Sequence, residues 1–507
     1  MAIQYNLKME KEAEMKILLV YPEYPDTFWS FKHALSFVSK KAAFPPLGLL
    51  TIAAMLPETW NKKLVDMNVS ILKDEDIQRA DYVFISAMIT QKASAKKVIA
   101  RCNKCGVKVV AGGPVFTTGH EEFSGVDHFV LGEAETVLPQ FLEDLQKGCA
   151  KRVYASNERP DITHTPIPLW ELINIGDYVT IPVQYSRGCP YDCEFCDIII
   201  MNGRVPRTKT SSQLLQEFNA IYKTGFRGSV FIVDDNFIGN KTKVKKMLPE
   251  IVRWQKSRRY PFWLLTEASL NLSGDEELMG LMIEAGFDKV FIGLETPNEE
   301  SLAECNKLQN KNSDMVSAVK KIQNHGMQVL GGYIVGFDND PPSIFDRQIG
   351  FIQETGVVVA MVGILDALPK TRLYERLEAE GRLLAASSGN NTDLSISFVP
   401  RMDINILLEG YKKILQKIYS PEKYYERIVN FFQGYKPTRK RKRITASEIG
   451  AFAKSVWRIG IIGRKEERRY YWKLLIISAM KYRSLFSEAI VLQIYGFHFR
   501  KIVDGLK

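Results

Sequence analysis

From residue 15 onward, short unbroken apolar runs alternate with stretches that carry apolar residues on one helical face. MKILLVYPEYP (15–25) is followed by KLVDMNV (63–69), DYVFISAM (81–88), VKVVAGGP (107–114) and DHFVLGE (127–133). Helical periodicity fills some of the intervals, at 93–105 and 135–147. Runs that do not alternate with polar residues predict strands buried on both faces, and strand–helix alternation predicts a parallel, doubly wound sheet. Such sheets bind ligands in the crevice at the carboxyl ends of their strands. The loops there are SAMITQ (Ser86–Gln91), GGP (Gly112, Gly113, Pro114) and GE (Gly132, Glu133). A polar, proline-containing connector, ASNERPDITHTPIPLWEL (155–172), leads out of this region.

A second alternation begins near residue 178. Its predicted strands are TIPVQYSRG, SVFIVDDN, FWLLTEAS, KVFIGLET, QVLGGYIVGF and VVVAMVGILDA, with helices at 211–224 and 275–285 between them. Six βα units predict a partial (β/α)6 barrel rather than a closed eightfold one. Asp234, Asp235, Glu267, Glu295 and Asp338 fall at strand ends, where barrels of this type carry their chemistry. Beyond residue 383 the strands stop and helical patterns follow, SPEKYYERIVNFFQGY (420–435) being the clearest.

The pattern divides the chain into a leader (1–14), a first α/β domain (15–150), a linker (151–177), a barrel (178–382), a helical region (383–435) and a tail (436–507). With 46% hydrophobic and 25% charged residues, the composition is that of a globular chain. Its apolar runs are shorter than the ~18 residues a bilayer span needs. The polar N-terminus does not resemble a secretory signal, so a cytoplasmic location is expected, where thiols stay reduced and seven scattered cysteines do not form a disulfide framework.

The net charge of +10 is unevenly placed. From residue 436 there are 18 Lys and Arg against 5 Asp and Glu, a net +13, which leaves −3 on the rest. KPTRKRKR (436–443) has the character of a hinge, and the helical patterns after it mix Trp, Tyr and Phe with cations. Such a segment suits a membrane interface carrying anionic lipid. Nucleic-acid binding is the rival reading and a merely solvated face the plain one.

The candidate chemistry centres on RGCPYDCEFCD (187–197), which spaces Cys189, Cys193 and Cys196 as C-x3-C-x2-C. Zinc ordinarily takes four ligands, and no second cysteine pair or histidine cluster is adjacent in the sequence. The Cys102–Cys105 pair sits on a helical stretch of the other domain and is read as incidental. Three thiolates on a loop after a strand suit a 4Fe–4S cluster with one iron left open to bind a substrate or cofactor.

This spacing, after the first strand of a partial barrel, resembles the radical S-adenosylmethionine (SAM) enzymes. The resemblance implies that the open iron chelates the methionine end of SAM and that the reduced cluster cleaves SAM to a 5′-deoxyadenosyl radical. It implies SAM contacts from Phe195, Asp235, Glu267, Glu295 and Gly336. The first domain resembles the Rossmann-like cobalamin-binding domains that precede many such barrels. Carried over, Ser86, Gln91, Gly112, Gly113, Pro114, Gly132 and Glu133 would face cobalamin, the two adjacent glycines allowing close backbone approach. The Asp-x-His-x-x-Gly motif that supplies a lower axial histidine is absent, and His33, His120 and His128 are read as ordinary surface or core residues.

YPEYPDTFWSFKHAL, KKAAFPPLGLL, VDDNFIGNK, FIGLETPN, ECNKLQN and VGFDNDPPSIFDRQ together resemble the cobalamin-dependent radical SAM group that contains the hopanoid C-2 methylases. What this implies is transfer of a methyl group from methylcobalamin to an unactivated carbon of a lipid. It also implies a reducing partner such as flavodoxin or ferredoxin and a peripheral contact with the inner membrane face through the tail, with nucleic acid disfavoured. Two alternatives stand beside it: cyclisation or C–C bond formation with the same cofactors, and a non-catalytic iron–sulfur sensor of nucleic acid.

Overall fold

A computed structural model of the chain describes residues 14–384, 387–390, 392, 394–437 and 445–506. The leader and most of the charge run at 436–443 lie outside the described residues. The chain forms two compact units, one from the segments through 23, 46–158 and 166–173, the other from 24–45, 159–165 and 174–507.

In the first unit six parallel strands form one sheet: β1 (Lys16–Tyr21), β2 (Asn61–Asp66), β3 (Tyr82–Ser86), β4 (Lys108–Gly112), β5 (His128–Leu131) and β6 (Val153–Ala155), in the order β2-β1-β3-β4-β5-β6. Helices Lys92–Lys104 and Ala134–Gln146 occupy the predicted stretches. Each face of the sheet has its own core. Leu18, Val20, Ile85 and Val109 face one side, while Ile17, Leu19, Phe84 and Val110 face the other, which is why the runs are continuous rather than alternating. The sixth strand, VYA, lies in the stretch read as connector. It is only three residues long with exposed ends, and carries no periodicity to reveal it.

In the second unit β7 (Thr180–Val183) is followed by a short antiparallel pair, β8 (Ser186–Arg187) and β9 (Arg207–Thr208). The sheet continues through β10 (Ser229–Ile232), β11 (Trp263–Ala268), β12 (Phe287–Glu295), β13 (Gln328–Val335) and β14 (Ala360–Ile364). All neighbours in the order β14-β13-β12-β11-β10-β7 are parallel, which makes a partial (β/α)6 barrel. Along β11 and the later part of β12, buried residues alternate with partly exposed ones. Val230 and Ile232, Leu264 and Thr266, and Val290, Ile292 and Leu294 are sealed on one face, the face that barrel helices cover. Phe231, Leu265, Glu267 and Phe291 share the other, inner face by strand register.

The last helices belong to this unit. Helix Ile404–Ile418 reaches the edge strand through Tyr411, whose hydroxyl donates to the Val362 carbonyl at 3.2 Å. The basic tail does not stand apart. Helices Ala446–Ser455, Lys465–Met480 and Phe486–Gly505 share a core with Lys32–Val38 through Phe37, Ile459, Tyr471, Leu475 and Ile494. The segment 24–45 also sends Trp29 against Phe231 and Phe291 on the inner barrel face, at ring separations of 6.5 and 5.1 Å.

Candidate functional site

The loop bearing Cys189, Cys193 and Cys196 runs from β8 to the short helix Ile198–Asn202, and all three thiols are free. Its first turn rests on Gly188, whose φ of +101° favours glycine. A Cβ there would also sit 2.9 to 3.2 Å from the carbonyl oxygens of Val205, Gly203 and Asn202. Two adjacent aspartates after β10 hold this loop. Asp234 accepts from the Tyr185 N–H at 2.8 Å and the Ser186 hydroxyl at 2.6 Å. Asp235 accepts from the Gly188 N–H at 2.7 Å and from the Asn202 amide at 2.9 and 3.1 Å. Both oxygens of Asp235 are thus engaged by the loop that carries the cysteines.

Behind the loop, the Asn306 amide donates to the Asp192 carbonyl at 2.9 Å, and Arg376 joins Glu194 at 2.7 Å to Asp338 at 2.9 Å. Phe195 packs against Phe337, ring centroids 6.3 Å apart. Two side-chain amides point at sulfur: Asn236 Nδ2 lies 3.9 Å from Cys189 Sγ, and Gln309 Nε2 lies 3.7 Å from Cys193 Sγ. The Asn236 Oδ1 atom is buried without a protein partner.

Glu295 ends β12 at a register shift, with φ +61°, an uncommon conformation for a residue with a side chain. Its carboxylate pairs with Lys307 Nζ at 2.6 Å. Gly293 makes room for that pair, since a Cβ there would come within 2.4 Å of the carboxylate. Burial works against the Lys307 charge, but the Glu295 carboxylate beside it outweighs that and raises its pKa. Burial raises the thiols of Cys189 and Cys196. Metal coordination is what would ionise them. Glu267, on the inner face, is pushed up to about 8, first by burial and then by Asp235 and Asp234. Gly336 has φ +101° and gives its N–H to Asp340 at 2.9 Å, so its part is to turn the chain at the end of β13.

Asn236, Lys307 and Gln309 therefore join the site although the sequence assigned them no role. All three lie in stretches quoted for the resemblance, VDDNFIGNK and ECNKLQN, but nothing in their spacing brings 236 and 309 to one loop; the barrel does. Among the described residues no three His, Cys, Asp or Glu side chains gather tightly enough to hold a single ion. Three free thiols on one loop are the soft donors that iron–sulfur clusters take, so the donor set fits a cluster with one iron left open.

In the first unit, Ser86, Gly112, Gly113, Gly132 and Glu133 lie at the carboxyl ends of β3, β4 and β5, the edge where such sheets bind ligands. Small residues on this crest leave backbone exposed to a flat macrocycle, which fits cobalamin. The glycines have internal reasons as well: a Cβ on Gly112 would come within 2.7 Å of the Val130 carbonyl, and one on Gly113 within 2.4 Å of the Ser86 hydroxyl. Pro114 opens the helix Pro114–Gly119. Gln91 is fully buried, its Nε2 donating to the Pro22 carbonyl at 2.5 Å and its Oε1 accepting from the Met88 N–H at 2.8 Å, and so joins the ends of β1 and β3. Cys102 lies in the core, where burial pushes its thiol up to about 12, an inert partner for Cys105. His128 is internal too, bonded to the Lys151 carbonyl at 2.7 Å.

Comparison with known proteins meets this geometry. The chain matches the B12 binding domain over residues 38–142, the radical SAM superfamily over 183–347 and a domain of unknown function (DUF4070) over 371–507. It is 39% identical to an uncharacterized methyltransferase of Synechocystis sp. across 96% of this chain and 91% of the relative. It is 32% identical to the hopanoid C-2 methylase of Rhodopseudomonas palustris, across 92% and 89%. Its fold is similar to that of the radical SAM methyltransferase TsrM from Kitasatospora setae, solved with cobalamin and a 4Fe–4S cluster: TM-score 0.60, 15% identity, 97% of this chain and all of the other.

The fold and site define a radical SAM enzyme with a cobalamin domain. The chain belongs to the cobalamin-dependent radical SAM methyltransferases, the family that includes the hopanoid C-2 methylase. Its cofactors are a 4Fe–4S cluster, SAM and cobalamin.

Proposed function

We propose that the chain methylates an unactivated carbon of a polycyclic triterpenoid lipid of the hopanoid kind. The observation that carries this is the inner barrel face. Phe231, Leu265 and Phe291 line it, with Trp29 stacked on Phe231 and tilted against Phe291; Glu267 shares that face, as does Lys289 by register, its ammonium paired with Asp288 at 2.7 Å. Such a surface suits a rigid hydrocarbon and offers few polar handles. The likeness to a hopanoid C-2 methylase supports the same substrate class.

When bound, the cluster, SAM and cobalamin supply the radical and the methyl group. The chain's own work is to hold and orient them. Cys189, Cys193 and Cys196 ligate the cluster, and Asn236 and Gln309 donate toward its sulfur ligands. Phe195, Glu295 with Lys307, and the turn at Gly336 shape the SAM side. Glu267, kept protonated near neutral pH, sits in the lumen as a neutral hydrogen-bond donor. Ser86, Gly112, Gly113, Pro114, Gly132 and Glu133 form the cobalamin crest. Abstraction from an sp³ carbon asks for no general base, and the lumen's apolar walls exclude water from the radical. The electron comes from a reducing partner such as flavodoxin or ferredoxin. The chain works in the cytoplasm, at the inner face of the membrane that holds its substrate.

The test is anaerobic reconstitution with iron, sulfide, cobalamin and a reductant, followed by SAM and a hopanoid. The expected result is 5′-deoxyadenosine, S-adenosylhomocysteine and methylated lipid. Cys189→Ala, Cys193→Ala and Cys196→Ala should each abolish the deoxyadenosine together with the iron–sulfur absorbance. Deoxyadenosine formed by all three variants at the wild-type rate would defeat the assignment.

A further inference from the structure

Among the described tail residues, Tyr471 and Phe499 are buried and most of the other aromatic rings are half-buried. Tyr471 lies in the core with its hydroxyl 2.8 Å from Ser455, and Tyr470 donates to Glu422 at 2.9 Å. The large apolar residues exposed in the tail are Ile449 and, on the π-helical turn and the helix after it, Trp457, Ile461, Ile462, Trp472, Ile476 and Met480, each at least 42% exposed.

The last six lie on two elements joined by a hydrogen bond. Trp472, Ile476 and Met480 are four residues apart on helix Lys465–Met480 and form a single stripe. Trp457 and Ile461 belong to the π-helical turn Val456–Ile461, closed by the Ile462 N–H on the Trp457 carbonyl at 3.0 Å. The Trp472 indole N–H donates to the Gly460 carbonyl at 3.0 Å and fastens the stripe to that turn. Gly460 leaves the space for this: a Cβ there would meet the Tyr471 ring at 2.9 Å and the Trp472 ring at 3.3 Å.

Cations border the patch. Lys465, Arg468, Arg469 and Lys473 lie on the same helix, and Arg468 donates to the Ile461 carbonyl at 3.2 Å. Of the two acidic residues in that helix, Glu467 is taken up by Arg500 at 2.8 Å. Two tryptophans and four aliphatic side chains, exposed on these two joined elements beside Lys and Arg, make a surface complementary to an anionic bilayer: indoles seat at the headgroup level, aliphatic chains below it, cations among the phosphates. Among the described residues no helix is long and apolar enough to cross a membrane, so the contact is one of lying on the surface. We propose that the π-turn and the helix after it form a docking face for the anionic lipid bilayer, with Trp457, Ile462 and Ile476 entering the interface. This deepens the location given above, and it stands or falls apart from the substrate.

The test uses the full chain with vesicles of phosphatidylcholine alone or mixed with phosphatidylglycerol. Wild type should sediment with the mixed vesicles and only weakly with the neutral ones. Trp457→Ser/Ile462→Ser/Ile476→Ser should weaken the binding about tenfold or more. Lys465→Gln/Arg469→Gln/Lys473→Gln should reduce it to the neutral-vesicle level. In the wild type, hydrogen exchange over 456–480 should slow when mixed vesicles are added, a reading that needs no variant. The proposal is overturned by no association with either vesicle, by equal association with both, by variants that bind like wild type, or by unchanged exchange over 456–480. Turnover of detergent-dispersed lipid is expected to be the same in the apolar variant and the wild type. If the wild type methylates no lipid, the substrate reading fails while the vesicle result keeps its meaning.

Discussion

Glu267 shows how a single residue reports on the lumen. The ordinary glutamate value is 4.5, and in the fold it rises to about 8, so between these values the folded chain holds a proton that the unfolded chain has released. Unfolding then releases that proton, and Glu267's contribution to stability falls as pH rises through the window, levelling off above it. Glu267→Gln keeps the shape and removes the titration. In anaerobic denaturant melts of the cofactor-free chain, the advantage of Glu267→Gln over wild type should grow from about pH 5 to about pH 9. A constant offset across that range would mean that the carboxyl is not buried as described. The sequence placed Glu267 at a strand end but could not state its environment, because the apolar walls around it come from three strands and from Trp29, far away in the chain.

At the scale of the element, the cysteine loop depends on one turn. Gly188→Ala must hold a left-handed conformation and press a methyl group on three backbone carbonyls. Strain of about 1–3 kcal/mol falls on the ligand loop itself. The expected outcome is iron retention lowered by about 10- to 100-fold in chelator competition, with circular dichroism unchanged. Wild-type retention would contradict the turn's role.

A second element test concerns packing alone. Gly410 of helix Ile404–Ile418 faces Phe345 of helix Ile344–Thr355, whose ring atoms would stand 2.3 Å from an added Cβ. Alanine is the better helix former by about 1 kcal/mol, but overpacking should cost about 1–3 kcal/mol, so Gly410→Ala should lower the denaturation midpoint and Phe345→Leu should restore part of it. No loss of midpoint would show that the two helices are not in contact there. Elements of this kind were legible where their periodicity is strong. The five first strands and the six of the barrel stand where the apolar runs put them. β6 was not, being three residues long, and the inward packing of the tail was not, because a basic aromatic helix reads the same whether its tyrosines face a protein or a lipid.

For the whole molecule, the cysteine triplet and the strand order carried most of the functional content. Three thiols without a fourth ligand pointed to a cluster with an open site, and βα repetition placed them at the mouth of a barrel. What the sequence could not supply was tertiary: Asp235 and Gln91 bond to the protein's own loops, and Lys307, Gln309 and Asn236 reach the cysteine loop only through the fold. The central claim is that this architecture moves a methyl group onto a lipid carbon. The most direct measurement is product analysis of the anaerobically reconstituted enzyme with a hopanoid and SAM carrying a deuterated methyl group. The account expects a lipid product heavier by one labelled methyl in place of hydrogen, with one 5′-deoxyadenosine and one S-adenosylhomocysteine formed for each. Deoxyadenosine released while the lipid stays unlabelled, or a product ring-closed without the labelled methyl, would contradict it.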